Sequence, residues 1–384
     1  MVNLFKTILP GQTIGIIGGG QLGRMMALAA KAQGFRIAVL DPTEDSPCGQ
    51  VADVKIVAEY HDLSAIQKLA AVSDVITYEF ENIDAVALKW LCEHAYVPQG
   101  KDILEITQNR ITEKQAIQKA GVEVAPYEVI ESLDDIYVAV EKIGYPCVLK
   151  TATGGYDGKG QLVIYSEKDI IRGEELTKTG ICVLEKWLSF EKEISVIIIR
   201  NPKGETAVFP VGENIHRDNI LHKTIAPARI NQGARNKAVA LATQLAKSMN
   251  LIGTLAVEMF FTAEGQIYVN ELAPRPHNSG HYSIEACETS QFEQHIRAVC
   301  NWPLGSTELL KPAVMVNILG EHLGNLLEKI EEYPNLKIHL YGKKEAKEKR
   351  KMGHVTILQS SIEEALAEID NSGIWEQEKI RIGG

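Results

Sequence analysis

A short β-branched run, Thr13 to Ile17, passes directly into the glycine turn Gly18-Gly19-Gly20-Gln21-Leu22-Gly23 and then into a helical pattern from Leu22 to Ala32. A strand that feeds a helix within so few residues returns to the sheet as a parallel neighbour, because the crossover carries the chain back to the same end. Further apolar runs at Arg36 to Leu40 and Asp74 to Tyr78 repeat the alternation. The spacing therefore predicts a doubly wound parallel sheet, an α/β unit, at the start of the chain.

The pattern changes around residue 107. Thr112 and Gln115 read as a capping box opening a short helix that ends at Gly121, with Pro126 beyond it. Strand-sized runs then follow at Cys147 to Lys150, Gln161 to Tyr165, Cys182 to Trp187 and Glu193 to Arg200, with a hairpin turn at Asn201 to Gly204. A long amphipathic helix, Gly233 to Met249, precedes a hairpin of Leu255 to Phe261 and Ile267 to Leu272. The middle of the chain reads as α+β, and 384 residues leave room for two or three domains.

Composition removes several function classes. With 40 Lys and Arg against 50 Asp and Glu, a formal charge of −10 speaks against nucleic acid or an anionic membrane as partner. No apolar stretch approaches the roughly 20 residues that a membrane helix needs. Cys48, Cys92, Cys147, Cys182, Cys287 and Cys300 contain no CxxC pair, and Met1 to Pro10 lacks a charged-then-apolar leader pattern, so a cytoplasmic protein is expected.

Function must then come from sites. Gly18 to Gly23 is a GxGxxG between strand and helix, where backbone N–H groups favour a phosphate, and Asp41 ends the second strand. That pair fits a dinucleotide fingerprint and an NAD-dependent oxidoreductase, while the same glycines would equally serve close helix-on-strand packing. A second glycine loop, Thr153 to Gly160, lies between two strands and is no Walker loop; Lys159 within it and Lys150 before it suit a polyphosphate. For an even-length turn centred between Glu264 and Gly265, Glu258 and Glu271 face each other across a hairpin. Two hard carboxylates with Asn270 beside them suit Mg²⁺ bound together with substrate phosphates; a solvated surface pair is the alternative.

Four more segments are candidates. Glu185-Lys186-Trp187-Leu188 with Glu193 offers backbone edges and an apolar wall for a base, although a strand end with a core tryptophan would look the same. Tyr78 to Asn82 follows a strand of the parallel sheet, where ligands bind in open α/β folds. Arg275, His277, Asn278, Ser279 and His281 follow Glu271; Pro276 and Gly280 oppose a helical zinc pair at His277 and His281. In the run Lys343 to Lys351 six of nine residues are basic, and Arg350 with Lys351 could clamp a phosphate.

Taken together, GGGQLGRM (Gly18 to Met25), YEFENI (Tyr78 to Ile83), GGYDGKGQ (Gly154 to Gln161), NELAPRPHNSGH (Asn270 to His281) and KRKMGH (Lys349 to His354) resemble the ATP-grasp superfamily. Within it, the likeness is to the N5-carboxyaminoimidazole ribonucleotide synthetases of purine biosynthesis, over essentially the whole chain. The resemblance implies a pre-ATP-grasp domain at 1–110 that binds the ribonucleotide, a lid at 111–190, and a large subdomain with a C-terminal substrate-phosphate region at 191–384. It implies a ligase, with ATP and Mg²⁺ as cofactors, that carboxylates 5-aminoimidazole ribonucleotide with bicarbonate through carboxyphosphate, and a homodimer. Arg110, Lys150, Gly155, Tyr156, Asp157, Gly158, Lys159, Gly160, Gln161, Glu185, Lys186, Trp187, Leu188, Glu193, His216, Asn270 and Glu271 resemble ATP contacts. Glu258 and Glu271 match the metal ligands, and Tyr156, Arg275 and His277 the catalytic positions. Gly20, Gln21, Glu79, Asn278, Ser279, Arg350 and Lys351 fall on the substrate side, the glycine turn and the last two residues being assigned to its phosphate. Relatives often carry RPGRK where this chain has Lys347-Glu348-Lys349-Arg350-Lys351, a departure that exchanges an Arg for a Lys of lower bidentate capacity. A sister ATP-grasp ligase shares the lid and the carboxylate pair but does not call for NELAPRPHNSGH; a regulator that senses ATP without consuming it is the alternative from another class.

Overall fold

The β-branched run at the N-terminus forms the strand Thr13–Ile17, flanked by Arg36–Asp41 on one side and Val75–Tyr78 on the other, all parallel. The structure is a computed structural model that describes residues 5–155 and 159–375. Val54–Val57 completes a four-stranded sheet. Its strand order reverses between Thr13–Ile17 and Val75–Tyr78, which opens a crevice at their C-terminal ends. Both faces are covered. Helices Leu63–Val72 and Ala85–His94 bury Ile66, Leu69, Leu88 and Leu91 on one face. Helix Gln21–Ala32 packs its Met26 and Ala30 against Phe292, Ile296 and Val299 on the other.

A second sheet is antiparallel, in the order Tyr127–Ile130, Cys182–Lys186, Cys147–Thr151, Gln161–Ile164. Helix Leu133–Ile143 backs it, started by a reciprocal Ser132–Asp135 cap and buried through Ile136, Val140 and Ile143.

The third sheet runs Ile267–Ala273, Gly253–Phe261, Lys192–Arg200, Gly212–Arg217, Ile220–Ala226, Ala313–Leu319, Lys351–Leu358, Lys337–Leu340, with Thr206–Val208 paired to Lys192–Arg200. The region after Cys300 therefore continues the large sheet, because Ala313–Leu319 pairs with Ile220–Ala226. The turn expected at Asn201 to Gly204 is present, with the Asn201 side chain accepting from the Lys203 and Glu205 N–H groups.

Two local expectations are corrected. Helix Arg110–Lys119 starts earlier than a Thr112–Gln115 box would have it: Asn109 caps it by accepting from the Ile111 N–H at 2.8 Å. The Thr112 hydroxyl instead donates to the Ile106 carbonyl. Nor does this helix open the lid as a boundary at 111 implies. Ile117, Val122 and Val124 are buried in the core of the large sheet, and Val124 bridges Val269 on its edge strand. An edge strand with unpaired groups needs a cover, and this segment supplies it.

A buried polar chain joins the first sheet to the third. The Thr254 N–H donates to His295 Nδ1 at 3.2 Å, so that nitrogen is the acceptor and Nε2–H donates to Thr77 Oγ1 at 2.8 Å. Thr77 then donates to Gln99 Oε1 at 2.6 Å. Burial holds His295 neutral, at about 3, well below its ordinary value. Because Thr77 lies two residues before Glu79, this chain ties the crevice of the first sheet to the start of Gly253–Phe261. Thr77→Val keeps the shape and orphans two buried polar groups; it is expected to cost about 1–3 kcal/mol in a denaturant-unfolding measurement.

Candidate active site

The three sheets converge on one cleft of about 610 Å³. Its floor is the hairpin Gly253–Phe261 and Ile267–Ala273. Glu258 and Glu271 are paired across it, as expected, but not by the route expected. The turn end pairs Phe261 with Ile267 and Met259 with Val269, a register in which Glu258 would face Asn270. One extra residue, Asn270, bulges out and shifts the register so that Glu271 meets Glu258. The bulge also decides which way Glu271 points. Ile267, Val269 and Leu272 all enter the apolar core beneath the sheet, so the alternation slips by one residue at Asn270. Without the slip, Glu271 would follow Val269 into that core.

The donor set fits a hard divalent cation. The Asn270 Oδ1 is buried without a hydrogen-bond partner beside the two carboxylates. Burial, and then the charge of Glu271, push Glu258 up to about 7. His277 stands 3.3 Å from Glu258 through Nε2. The Ser279 N–H donates to His277 Nδ1 at 3.3 Å, which leaves the ring proton on Nε2, toward the carboxylate. Burial keeps this histidine neutral, well below its ordinary value.

One wall carries cations. Glu185 is buried and lies 3.0 Å from Lys150 of the lid and 3.0 Å from Lys114 of helix Arg110–Lys119. Burial opposes its charge, but the two lysines outweigh burial and hold it at about 2. Arg110 reaches Glu271 at 3.4 Å. Trp187 and Leu188 line the adjoining apolar recess, where Phe190 stacks on Phe260 with centroids 4.6 Å apart. Trp187 is half-exposed there, so it is no core tryptophan. Glu193 is hydrogen-bonded to His216; burial works against the charge of His216, but that bond prevails and raises its pKa.

At the opposite wall the glycine turn departs from expectation. Three of its amides are already taken: Glu79 accepts from the Gly20 N–H and, at 2.6 Å, from the Gly23 N–H, while Asp41 accepts from the Gly19 N–H at 2.7 Å. Two carboxylates thus occupy the helix N-terminus where a phosphate was expected. Asp41 further accepts from Thr43 N–H and the Tyr60 hydroxyl, so a dinucleotide reading fails as well. Gly20, Gln21 and Glu79 still line the cleft. So do Lys351 and a residue that its motif does not single out, Lys343, whose ammonium donates to Gln21 Oε1 at 2.6 Å and to the Lys351 carbonyl at 2.7 Å.

Arg275 spans the middle, paired with Glu81 at 2.7 Å. Arg110, Lys150, Lys159, Gln161, Glu185, Lys186, Trp187, Leu188, Glu193, His216, Glu258, Asn270, Glu271, Arg275, His277 and Asn278 are brought together in the cleft. Among the described residues, four expected ones are not on its lining. Ser279 lies behind it, with its hydroxyl 2.9 Å from His277 Nδ1 and 2.9 Å from Ser195 Oγ. Arg350 is exposed and donates to the Glu345 carbonyl. Gly155 and Gly160 form the neck of the lid loop, where Gly160 accepts from the Thr151 N–H through its carbonyl and takes φ +71°. Tyr156, Asp157 and Gly158 lie outside the described residues. Besides Lys343, Glu81 and Phe190 are missed lining residues; each lies within or beside a flagged segment, but only the fold ranks its members.

An ATP-grasp domain matches residues 115–292, a ribonucleotide synthetase preATP-grasp domain 11–108, and a phosphoribosylaminoimidazole carboxylase C-terminal domain 313–368. The N5-carboxyaminoimidazole ribonucleotide synthase of Bacillus subtilis (strain 168) is 56% identical over 366 residues, spanning 95% of this chain and 96% of that protein. The chain belongs to the N5-carboxyaminoimidazole ribonucleotide synthase family. A solved ADP complex of a synthetase of this family matches with a TM-score of 0.95 at 61% identity, over 96% of this chain and 98% of that one. Another, the Aspergillus clavatus synthase in complex with ADP and 5-aminoimidazole ribonucleotide, matches with a TM-score of 0.89 at 32% identity, over 94% and 97%. The family's fold is thus the one described here, an ATP-grasp body preceded by a parallel-sheet domain.

The position of Glu258 sets a pH dependence. Below about 7 it holds a proton, which a divalent cation bound at this carboxylate would have to displace. Divalent-ion binding to the ligand-free protein is expected to weaken as the pH falls from roughly 8 to roughly 6, measured by Mn²⁺ titration followed by electron paramagnetic resonance.

Proposed function

We infer that this chain catalyses the ATP-dependent carboxylation of 5-aminoimidazole ribonucleotide by bicarbonate, yielding N5-carboxyaminoimidazole ribonucleotide, ADP and phosphate, a step of purine biosynthesis. The observation that carries this reading is a single cleft with two chemically different ends. One end has the Glu258–Glu271 pair, Lys150 and an apolar recess; the other has Glu79, Lys343 and Lys351, with Arg275 and His277 between them. The Aspergillus clavatus relative, which holds ADP and the aminoimidazole ribonucleotide together, supports that division.

In this reading the base of ATP lies along Glu185 to Leu188 and Phe190, with Glu193 near the ribose. Lys150, fixed by Glu185, and Lys159 meet the phosphates. Glu258 and Glu271, with Asn270 alongside, would hold Mg²⁺, which when bound would neutralise charge on the transferring phosphoryl group. A bicarbonate oxygen attacks the γ-phosphorus; the new O–P bond forms as the bond to ADP breaks. Arg275, held in place by Glu81, binds the bicarbonate and then the carboxyl group of the carboxyphosphate. The exocyclic amine attacks that carboxyl carbon, phosphate leaves, and the amine proton departs with it. His277 orients Glu258 by donating from Nε2, and Ser279 fixes the tautomer from behind. Lys343 and Lys351 provide the cationic end for the ribonucleotide's phosphate, in place of the glycine turn and Arg350. Carboxyphosphate reacts with water, so exclusion of solvent from the cleft belongs to the mechanism.

We also propose that the protein works in the cytoplasm as a homodimer. Its six cysteines are all unpaired thiols, which suits a reducing compartment, and no helix among the described residues is long and apolar enough to cross a membrane. Light scattering should return a mass about twice 42.3 kDa.

The test of the activity is ADP release from ATP and Mg²⁺. Strong stimulation on adding both 5-aminoimidazole ribonucleotide and bicarbonate is expected, and its absence would refute the assignment. Glu271→Gln should lose about a hundredfold or more in kcat with an unchanged circular-dichroism spectrum. Full activity in that variant would remove the metal pair from the mechanism.

A further inference from the structure

The strand Ile267–Ala273 is an edge of the large sheet, and among the described residues no further strand pairs with its outward N–H groups. In a regular strand such groups recur at every second residue. Of the outward donors around the bulge, the Val269 N–H goes to the Glu123 carbonyl at 2.9 Å and the Leu272 N–H to the Glu113 carboxylate at 2.7 Å. They are three residues apart, and the bulged Asn270 lies between them. In an unbulged strand the N–H of Glu271 would face outward at that point, and the Leu272 N–H would face Gly253–Phe261. The bond from Leu272 to Glu113 is therefore available only in the register that puts Glu271 opposite Glu258.

Glu113 is built to stay where it is. It is buried, 2% exposed, on helix Arg110–Lys119, whose Arg110 touches Glu271 and whose Lys114 pairs with Glu185. We propose that Glu113 is a positioning residue for the carboxylate pair: it holds the strand in the bulged register and thereby aims Glu271 into the cleft. This rests on reading Glu258 and Glu271 as the metal pair.

The experiment uses the full chain with ADP bound and three substitutions at this position. Glu113→Gln keeps an oxygen acceptor for the Leu272 N–H, Glu113→Leu removes it, and Glu113→Asp withdraws it by one methylene. Two quantities are read: hydrogen exchange of the segment 267–273, and Mn²⁺ affinity by electron paramagnetic resonance. Glu113→Leu is expected to lose protection at Leu272 and to bind Mn²⁺ roughly tenfold or more weakly, with Glu113→Gln close to wild type in both. If Glu113→Leu fails to fold, Glu113→Asp carries the same expectation in a milder form. Unchanged Mn²⁺ affinity in a folded Leu or Asp variant, or a Gln variant as weak as Leu, overturns the proposal. Glu258→Gln and Glu271→Gln run alongside: if neither weakens Mn²⁺ binding, the metal-pair reading itself falls. If both do while Glu113→Leu does not, only the role of Glu113 is lost.

Discussion

A buried carboxylate shared by two lysines holds the working parts of this protein together. Glu185 sits on the lid, Lys150 on the neighbouring lid strand, and Lys114 on a helix that belongs to the core of the large sheet. An unpaired charge at that depth would be costly, and each lysine needs the carboxylate as much as the carboxylate needs them. The arrangement joins lid to body and leaves the Lys150 ammonium in a defined place at the edge of the cleft. The same helix sends Arg110 to Glu271 and Glu113 to the strand beside it, so one short element coordinates the cation wall and the anion floor.

Charge compensation differs from one wall of the cleft to the other. Glu185 is compensated by two lysines and stays ionised; Glu258 and Glu271 face each other, and although Arg110 reaches Glu271, burial and then the charge of Glu271 push Glu258 up to about 7. Two facing carboxylates beside an orphaned amide oxygen suit a cation that arrives with its substrate. At the far wall the compensation is of another kind. Glu79 and Asp41 are neutralised by the backbone N–H groups of a helix N-terminus, a place that in dinucleotide-binding proteins serves a phosphate. With that place filled from within, the cationic groups that line the cleft at this wall are the lysine side chains of Lys343 and Lys351.

Much of this architecture is legible in the sequence. The parallel sheet follows from strand, turn and helix succeeding one another without a gap, and the lid strands from β-branched runs bounded by glycine and proline. The pairing of Glu258 with Glu271 is legible too, although an odd turn and a compensating bulge produce it in place of the even turn expected. Other readings fail where a motif has more than one use. GxGxxG describes a tight turn into a helix, and nothing in its spacing says whether a ligand or Glu79, 56 residues beyond Gly23, will cap it. Within Lys343 to Lys351 every basic residue looks alike, yet Arg350 turns outward to a carbonyl while Lys343 reaches Gln21 across a domain boundary.

By itself the sequence determined what is local and periodic: element types, their order, and the residue types collected near each strand end. Tertiary structure decided which of those groups meet. Thr77 and His295 bond across 218 residues, and Leu272 finds Glu113 across 159. The direction of Glu271 is the clearest case. Side chains on a strand alternate with period two, so one inserted residue exchanges core for cleft, and the chain alone does not announce where an insertion will be absorbed. The partner strand and the helix at the edge fix that point, because only there are the outward N–H groups satisfied and the apolar residues all buried.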